Sequence, residues 1–201
     1  MGGERANASR GQASSSGVIW QAQQVMVQCG ANKRSRELGA GALSFTFQPM
    51  DDACAQAVLA WRYEPPYSFY NADLDEIDRY WEALLNPANA YYSMIDEAGE
   101  LVAYCCYGQD ARVSGGDYRD DALDLGLGVR PDLTGQGRGQ AFVEAVLEFA
   151  MWTYAPAEIR VTVAAFNRRA LRVWEKAGFE PVHTFSREED GVPFVVLTRK
   201  L

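Results

Sequence analysis

The sequence predicts a mixed α/β fold, a central sheet with helices on both of its faces. Three observations predict it. Apolar residues alternate with period two in some stretches and recur with helical spacing in others. The two kinds of stretch interleave in the order β, α, α, β, β, β, α, β, α, β, β, which needs helices packed on a sheet. The longest helical stretch, about Gln136–Thr153, is apolar except for a stripe of Gln140, Glu144 and Glu148, as expected of a helix buried against a sheet.

Each element has its own signal. Leu43–Gln48 alternates as a strand. Asp51 and Asp52 can cap a helix reaching Arg62, with Ala55, Val58 and Leu59 on its apolar face. Residues 63–72 read as a loop around Pro65-Pro66. A helix from about Asp73 to Leu85 should turn Leu74, Ile77, Trp81 and Leu84 inward, and Pro87 ends it. Tyr91–Asp96 and Glu100–Gly108 form a hairpin over Glu97-Ala98-Gly99. Residues 109–121 are a polar loop. A strand at Ala122–Val129 precedes the long helix, and Glu158–Phe166 follows it. A helix over Asn167–Ala177 stops at Gly178. Phe179–Ser186 and Val192–Arg199 close the chain as a hairpin.

Residues 1–42 stand apart. They are rich in Gly, Ser and Ala and carry five basic residues against two acidic ones, and are expected to form a disordered N-terminal extension to a domain over 43–201. A short helix using Val18, Ile19, Ala22, Val25, Met26 and Cys29 is compatible with the pattern. A transit peptide ranks below a simple tail.

Composition narrows the function classes. The net charge of −8 disfavours nucleic acid and anionic membrane surfaces as partners. No apolar run approaches the roughly 20 residues of a membrane span. The cysteines, Cys29, Cys54, Cys105 and Cys106, form no C-x-x-C pair, and Cys105 and Cys106 should point to opposite faces of a strand. Free buried thiols in a reducing cytoplasm fit this better than disulfides or a metal site, and His183 is the only histidine.

The segment Thr134-Gly135-Gln136-Gly137-Arg138-Gly139 lies between a strand and a helix. Its glycines let backbone approach a ligand closely, and a helix N-terminus favours phosphate. Neither the P-loop spacing nor the dinucleotide G-x-G-x-x-G is present.

This spacing resembles the acyl-CoA motif Q/R-x-x-G-x-G/A of the GNAT acetyltransferase superfamily, with Thr134 at the place of Gln or Arg. Asn167 through Phe179 resembles that family's N-x-x-A-x-x-x-Y-x-x-x-G-F, with Trp174 at the tyrosine position. The resemblance covers about residues 43–201 and is strongest over 122–180.

The resemblance implies the GNAT acyl-CoA N-acyltransferase fold and an acetyl-CoA-dependent enzyme that acetylates a primary amine of a small molecule or protein N-terminus. Acetyl-CoA is then the co-substrate, with no metal. Leu127 and Val129 would meet its pantetheine arm through backbone groups. Thr134, Gly135, Gln136, Gly137, Arg138 and Gly139 would hold its pyrophosphate. Asn167 would bond the arm or cap a helix, and Trp174 would lie near the sulfur. The backbone N–H of Leu127 is the candidate oxyanion donor. Glu64 and Asp124 are the candidate bases, each equally readable as a surface carboxylate. Tyr67 and Tyr70, in a loop of five aromatics, would border the amine. Arg168, Arg169 and Lys176 would meet the 3′-phosphate or, the favoured reading, form a solvated helix face. A non-catalytic acyl-CoA sensor and an unrelated phosphate-binding α/β protein are the competing readings. The oligomeric state stays open, a homodimer included.

Overall fold

The computed structural model describes residues 44–118 and 121–201. The expectations for residues 1–42, for Leu43 and for Cys29 lie outside the described residues. The described chain forms β1 (Phe45–Pro49), α1 (Asp52–Ala60), α2 (Ile77–Leu85), β2 (Tyr91–Asp96), β3 (Leu101–Tyr107), β4 (Leu123–Val129), α3 (Gly139–Tyr154), β5 (Glu158–Ala164), α4 (Arg168–Lys176), β6 (Glu180–Ser186) and β7 (Pro193–Lys200). Short 3₁₀ turns punctuate the loops, among them Tyr67–Tyr70 and Pro131–Leu133.

The strands make one seven-stranded sheet in the order β1-β2-β3-β4-β5-β7-β6. Its only parallel pair is β4 with β5, joined by α3. Such a connection needs a crossover element, and the long apolar helix supplies it.

One face carries α3 and α4. Phe45 stacks on Phe142 at 5.0 Å and Phe47 on Phe149 at 4.4 Å, while Phe142 and Val146 are fully buried. The other face carries α1 and α2, packed through Met50, Ala55, Leu59 and Leu84 against Tyr91 and Tyr104. Asp51 caps α1, its carboxylate accepting from the Cys54 N–H at 2.8 Å. Cys105 joins the α3 core and Cys106 points to the opposite face, both as buried free thiols.

Two expectations change. Leu74 does not face inward: it is 68% exposed, because residues 74–76 form a 3₁₀ turn and α2 begins only at Ile77. The long helix starts at Gly139 rather than Gln136, since Gly135 and Gly137 take φ of +75° and +76°, outside the helical region.

Candidate active site

The site begins where the sheet parts. β4 and β5 pair only at Leu123↔Ile159 and Asp124↔Arg160, while β5 stays paired with β7 as far as Ala164. Beyond Asp124 the strands diverge and leave a cleft. On its other edge β4 bonds to β3, with Gly108 N–H donating to the Asp124 carbonyl and Arg130 N–H to the Val102 carbonyl, each at 2.9 Å. The alternation of an antiparallel ladder therefore turns the backbone groups of Leu127 and Val129 toward the gap. The Tyr63 hydroxyl donates to the Val129 carbonyl at 2.9 Å, which marks that carbonyl as facing the cleft.

Asp124 sits at the vertex and is 2% exposed. Arg160 donates to both of its oxygens, from Nε at 2.6 Å and from an Nη at 3.0 Å, and Arg112 Nε donates at 2.7 Å. The carboxylate is surrounded by guanidinium donors and does not line the cavity. In this arrangement Asp124 joins β4 to β5 through Arg160. Glu64, the other candidate, is exposed and also lies outside the cavity lining.

The far lip of the cleft is the glycine turn. Arg130 pairs with Asp132 at 2.8 Å, and the Gln136 side chain donates to the Asp132 carbonyl at 2.6 Å. The Thr134 hydroxyl donates to the Pro131 carbonyl at 2.8 Å, so it braces its own turn. Gly137 would place a Cβ with nothing within 4 Å, and Gly135 would meet only the Arg169 guanidinium at 3.5 Å. Alternate glycines with positive φ at a helix N-terminus make a concavity of backbone N–H groups suited to an anion. Gly135, Gly137, Gly139 and Thr134 line the cavity, whereas Gln136 and Arg138 do not.

The cavity holds about 610 Å³. From α4, Arg169, Arg172 and Lys176 reach its lining and Arg168 does not. The Arg169 guanidinium lies 4.6 Å above the Tyr67 ring, beside the glycine turn. All of these side chains are exposed, as a solvated helix face requires, and Arg169 and Lys176 also border the cavity. Asn167 caps α4, its Oδ1 accepting from the Ala170 N–H at 3.1 Å, and its amide donates to the Tyr70 hydroxyl at 3.1 Å. Trp174 is 5% exposed, packs edge-on against Phe179 at 5.0 Å and forms part of the cavity wall.

The aromatic loop supplies the remaining wall. Asn71 ties it shut, accepting from the Tyr63 N–H at 2.7 Å. Tyr63, Tyr67 and Tyr70 line the cavity together with Tyr104 of β3. Burial pushes the Tyr63 hydroxyl up to about 12, helped by Tyr70 beside it, and burial raises Tyr70 and Tyr104 as well. All three stay protonated near neutral pH. Tyr63 and Tyr104 were not singled out from the sequence. A usable signal existed for Tyr104, which pairs with Gly128 across β3 and β4, where a ring often covers a glycine.

A mixed sheet split between β4 and β5, with a glycine turn at its lip, is also the class of structure the comparisons return. The profile of the Acetyltransferase (GNAT) family matches residues 55–179, and the chain belongs to that family. Solved structures agree in fold. An acetyltransferase of the GNAT family from Bacillus anthracis superposes with a TM-score of 0.61 at 13% identity, covering 80% of this chain and 96% of that one. An aminoglycoside N(6′)-acetyltransferase from Legionella pneumophila gives 0.59 at 22% identity, covering 78% and 91%. A spermidine N-acetyltransferase from Vibrio cholerae, in complex with CoA and spermine, gives 0.55 at 12%, covering 78% and 95%. No curated protein matches. Among the described residues, no helix is long and apolar enough to cross a membrane.

Proposed function

We propose that the protein transfers the acetyl group of acetyl-CoA to a primary amine of a small molecule or a protein N-terminus. The observation that carries this reading is the gap between β4 and β5, which leaves the backbone of Leu127 unpaired by β5 and runs past Val129, whose carbonyl accepts from Tyr63, to the glycine turn. An extended pantetheine arm can pair with such an edge as an added strand. The residues fit the rest of the cofactor: N–H groups of the glycine turn meet the pyrophosphate, and Arg169, Arg172 and Lys176 offer positive charge in a chain of net charge −8. The bound thioester supplies an activated acetyl group.

The reaction forms a C–N bond, breaks a C–S bond, and moves one proton off the amine and one onto the departing thiolate. The Leu127 N–H stabilises the oxyanion that develops on the carbonyl. Neither Glu64 nor Asp124 lines the cavity, so the amine proton leaves through water. Trp174 replaces an acidic hydroxyl with an indole N–H, which donates a hydrogen bond but does not protonate. A thiol of pKa near 8.5 is a tolerable leaving group without an acid. Trp174→Phe should therefore keep activity within about tenfold, or about 1.4 kcal/mol.

Two measurements test the proposal. Acetyl-CoA at about 100 times its dissociation constant should stabilise the fold by about 2.7 kcal/mol. A panel of amines should then release free thiol from acetyl-CoA. No stabilisation at millimolar acetyl-CoA refutes the site. Stabilisation without thiol release from any amine points to a sensor instead.

A further inference from the structure

One wall of the cleft is built of tyrosine rings, and its lining has an unusual charge pattern. Tyr63, Tyr67 and Tyr70 come from the loop after α1, and Tyr104 comes from β3 beside Gly128 of β4. Phe166 closes the cluster behind them, 5.9 Å from Tyr70 and 6.3 Å from Tyr67. Among the described residues, the cavity lining contains no carboxylate at all, while it contains three cations, all on α4.

Asp124, Asp110 and Glu64 all lie off this lining. Asp124 is held by Arg160 and Arg112 at the vertex. Asp110 is drawn to Tyr91 and Cys106, off the lining. Glu64 stands exposed outside the cavity. A spermidine-like or aminoglycoside-like polycation would thus find no carboxylate in this lining to pair with its second and further ammonium groups.

Rings favour a different occupant. An aromatic body gains burial and favourable offset or edge-on contacts with these rings. A single amine on that body is desolvated in the cavity, which favours its neutral, nucleophilic form. A carboxylate nearby would hold the amine as an ammonium. Among the polar groups of this lining, the Tyr104 hydroxyl makes no hydrogen bond within the described residues and so is available to a ligand.

Building on the acetyltransferase reading above, we infer that the acceptor is a monoamine carried on an aromatic ring, with Tyr104 as a specificity-determining residue that bonds its amine or ring substituent. Polyamines and aminoglycosides are then poor acceptors.

The test is thiol release at saturating acetyl-CoA with 2-phenylethylamine, tyramine, n-butylamine, spermidine and kanamycin, comparing kcat/KM. The arylalkylamines should exceed n-butylamine and spermidine by about tenfold or more, about 1.4 kcal/mol of discrimination. Tyr104→Phe should reduce the kcat/KM of arylalkylamines while leaving the thermal shift with acetyl-CoA unchanged. Equal use of all amines, or preference for spermidine or kanamycin, overturns the inference and leaves the acetyltransferase reading standing. Thiol release from none of them or from a wider amine panel, in protein that acetyl-CoA still stabilises, overturns both.

Discussion

Gly128 and Tyr104 offer the sharpest perturbation of the site. A Cβ at residue 128 would lie 2.3 Å from the nearest ring carbon of Tyr104, 2.6 Å from Cζ and 2.9 Å from the hydroxyl oxygen. Ordinary contact between carbons needs about 3.5 Å, so the ring must move by about 1 Å. Gly128 does not have a positive φ, so alanine meets only this clash and no backbone strain. Overpacking of this kind costs about 1–3 kcal/mol. For a chain of this size that is roughly 2–12 °C in melting temperature. In a Tyr104→Ala background the obstacle is gone, and the same glycine change should cost less than about 0.5 kcal/mol. The assay is a double-mutant cycle by urea unfolding, paired with amine kinetics. In the single Gly128→Ala variant the displaced ring can move only toward Trp61, Tyr91 or the cavity, and the first two already lie 5.8 Å and 6.2 Å away. Entry into the cavity should lower kcat/KM for the amine while acetyl-CoA still stabilises the protein. An equal cost of Gly128→Ala in both backgrounds would refute the contact and, with it, the claim that Tyr104 shapes the amine end.

Two further outcomes are expected. Gly137→Ala should weaken acetyl-CoA binding, and Gly191→Ala serves as its control, since both glycines have positive φ (+76° and +71°) and open space around the missing Cβ; each should lose about 1–2 kcal/mol of stability from strain, but only the first should lose affinity in a thermal-shift titration. Tyr63, whose folded pKa is raised from 10.0 to about 12, contributes stability that is fully present below pH 10 and is lost as pH rises toward 12; burial raises other tyrosines as well, so the loss across that window should be smaller in Tyr63→Phe by up to about 2.7 kcal/mol, not abolished, when unfolding is followed.

Much of the fold was legible because its signals are local. Asp51 as a cap, Gly99 in a hairpin and Gly178 after a helix each act within a few residues. The glycine turn was legible for the same reason, although its positive-φ glycines delay the helix beyond what apolar periodicity suggests. Leu74 misled because helical spacing continues through a 3₁₀ turn that rotates it outward. The partners of Asp124 were not legible, since Arg160 lies 36 positions away and meets it only through the register of β4 with β5. The place of Arg169 beside the glycine turn and over the Tyr67 ring was likewise not legible, since it depends on how α4 packs.

The vertex of the cleft explains why an ion pair is found where a base was expected, and it yields a last prediction. β5 is paired with β7 along its whole length, so it cannot bend to follow β4. The two strands stay joined at one end and part at the other, and the angle is set by what holds the join. Asp124 and Arg160 are 2% and 3% exposed, so their charges carry a large desolvation cost that their attraction only partly offsets. Asp124→Asn, which removes the carboxylate charge that the buried Arg160 pairs with, should cost about 3–5 kcal/mol. The double change Asp124→Leu with Arg160→Met should recover most of that loss, because an apolar pair of similar volume needs no solvation and Arg112, about a third exposed, can turn to water. Directional bonds fix a register that apolar contacts do not. The double variant should therefore fold with near-normal stability yet show a smaller acetyl-CoA thermal shift than the parent. If it is stable and binds acetyl-CoA with unchanged affinity, the ion pair does not set the cleft. If Asp124→Asn instead keeps its stability and loses only amine turnover, with the pH dependence of kcat flattened, Asp124 is the base after all.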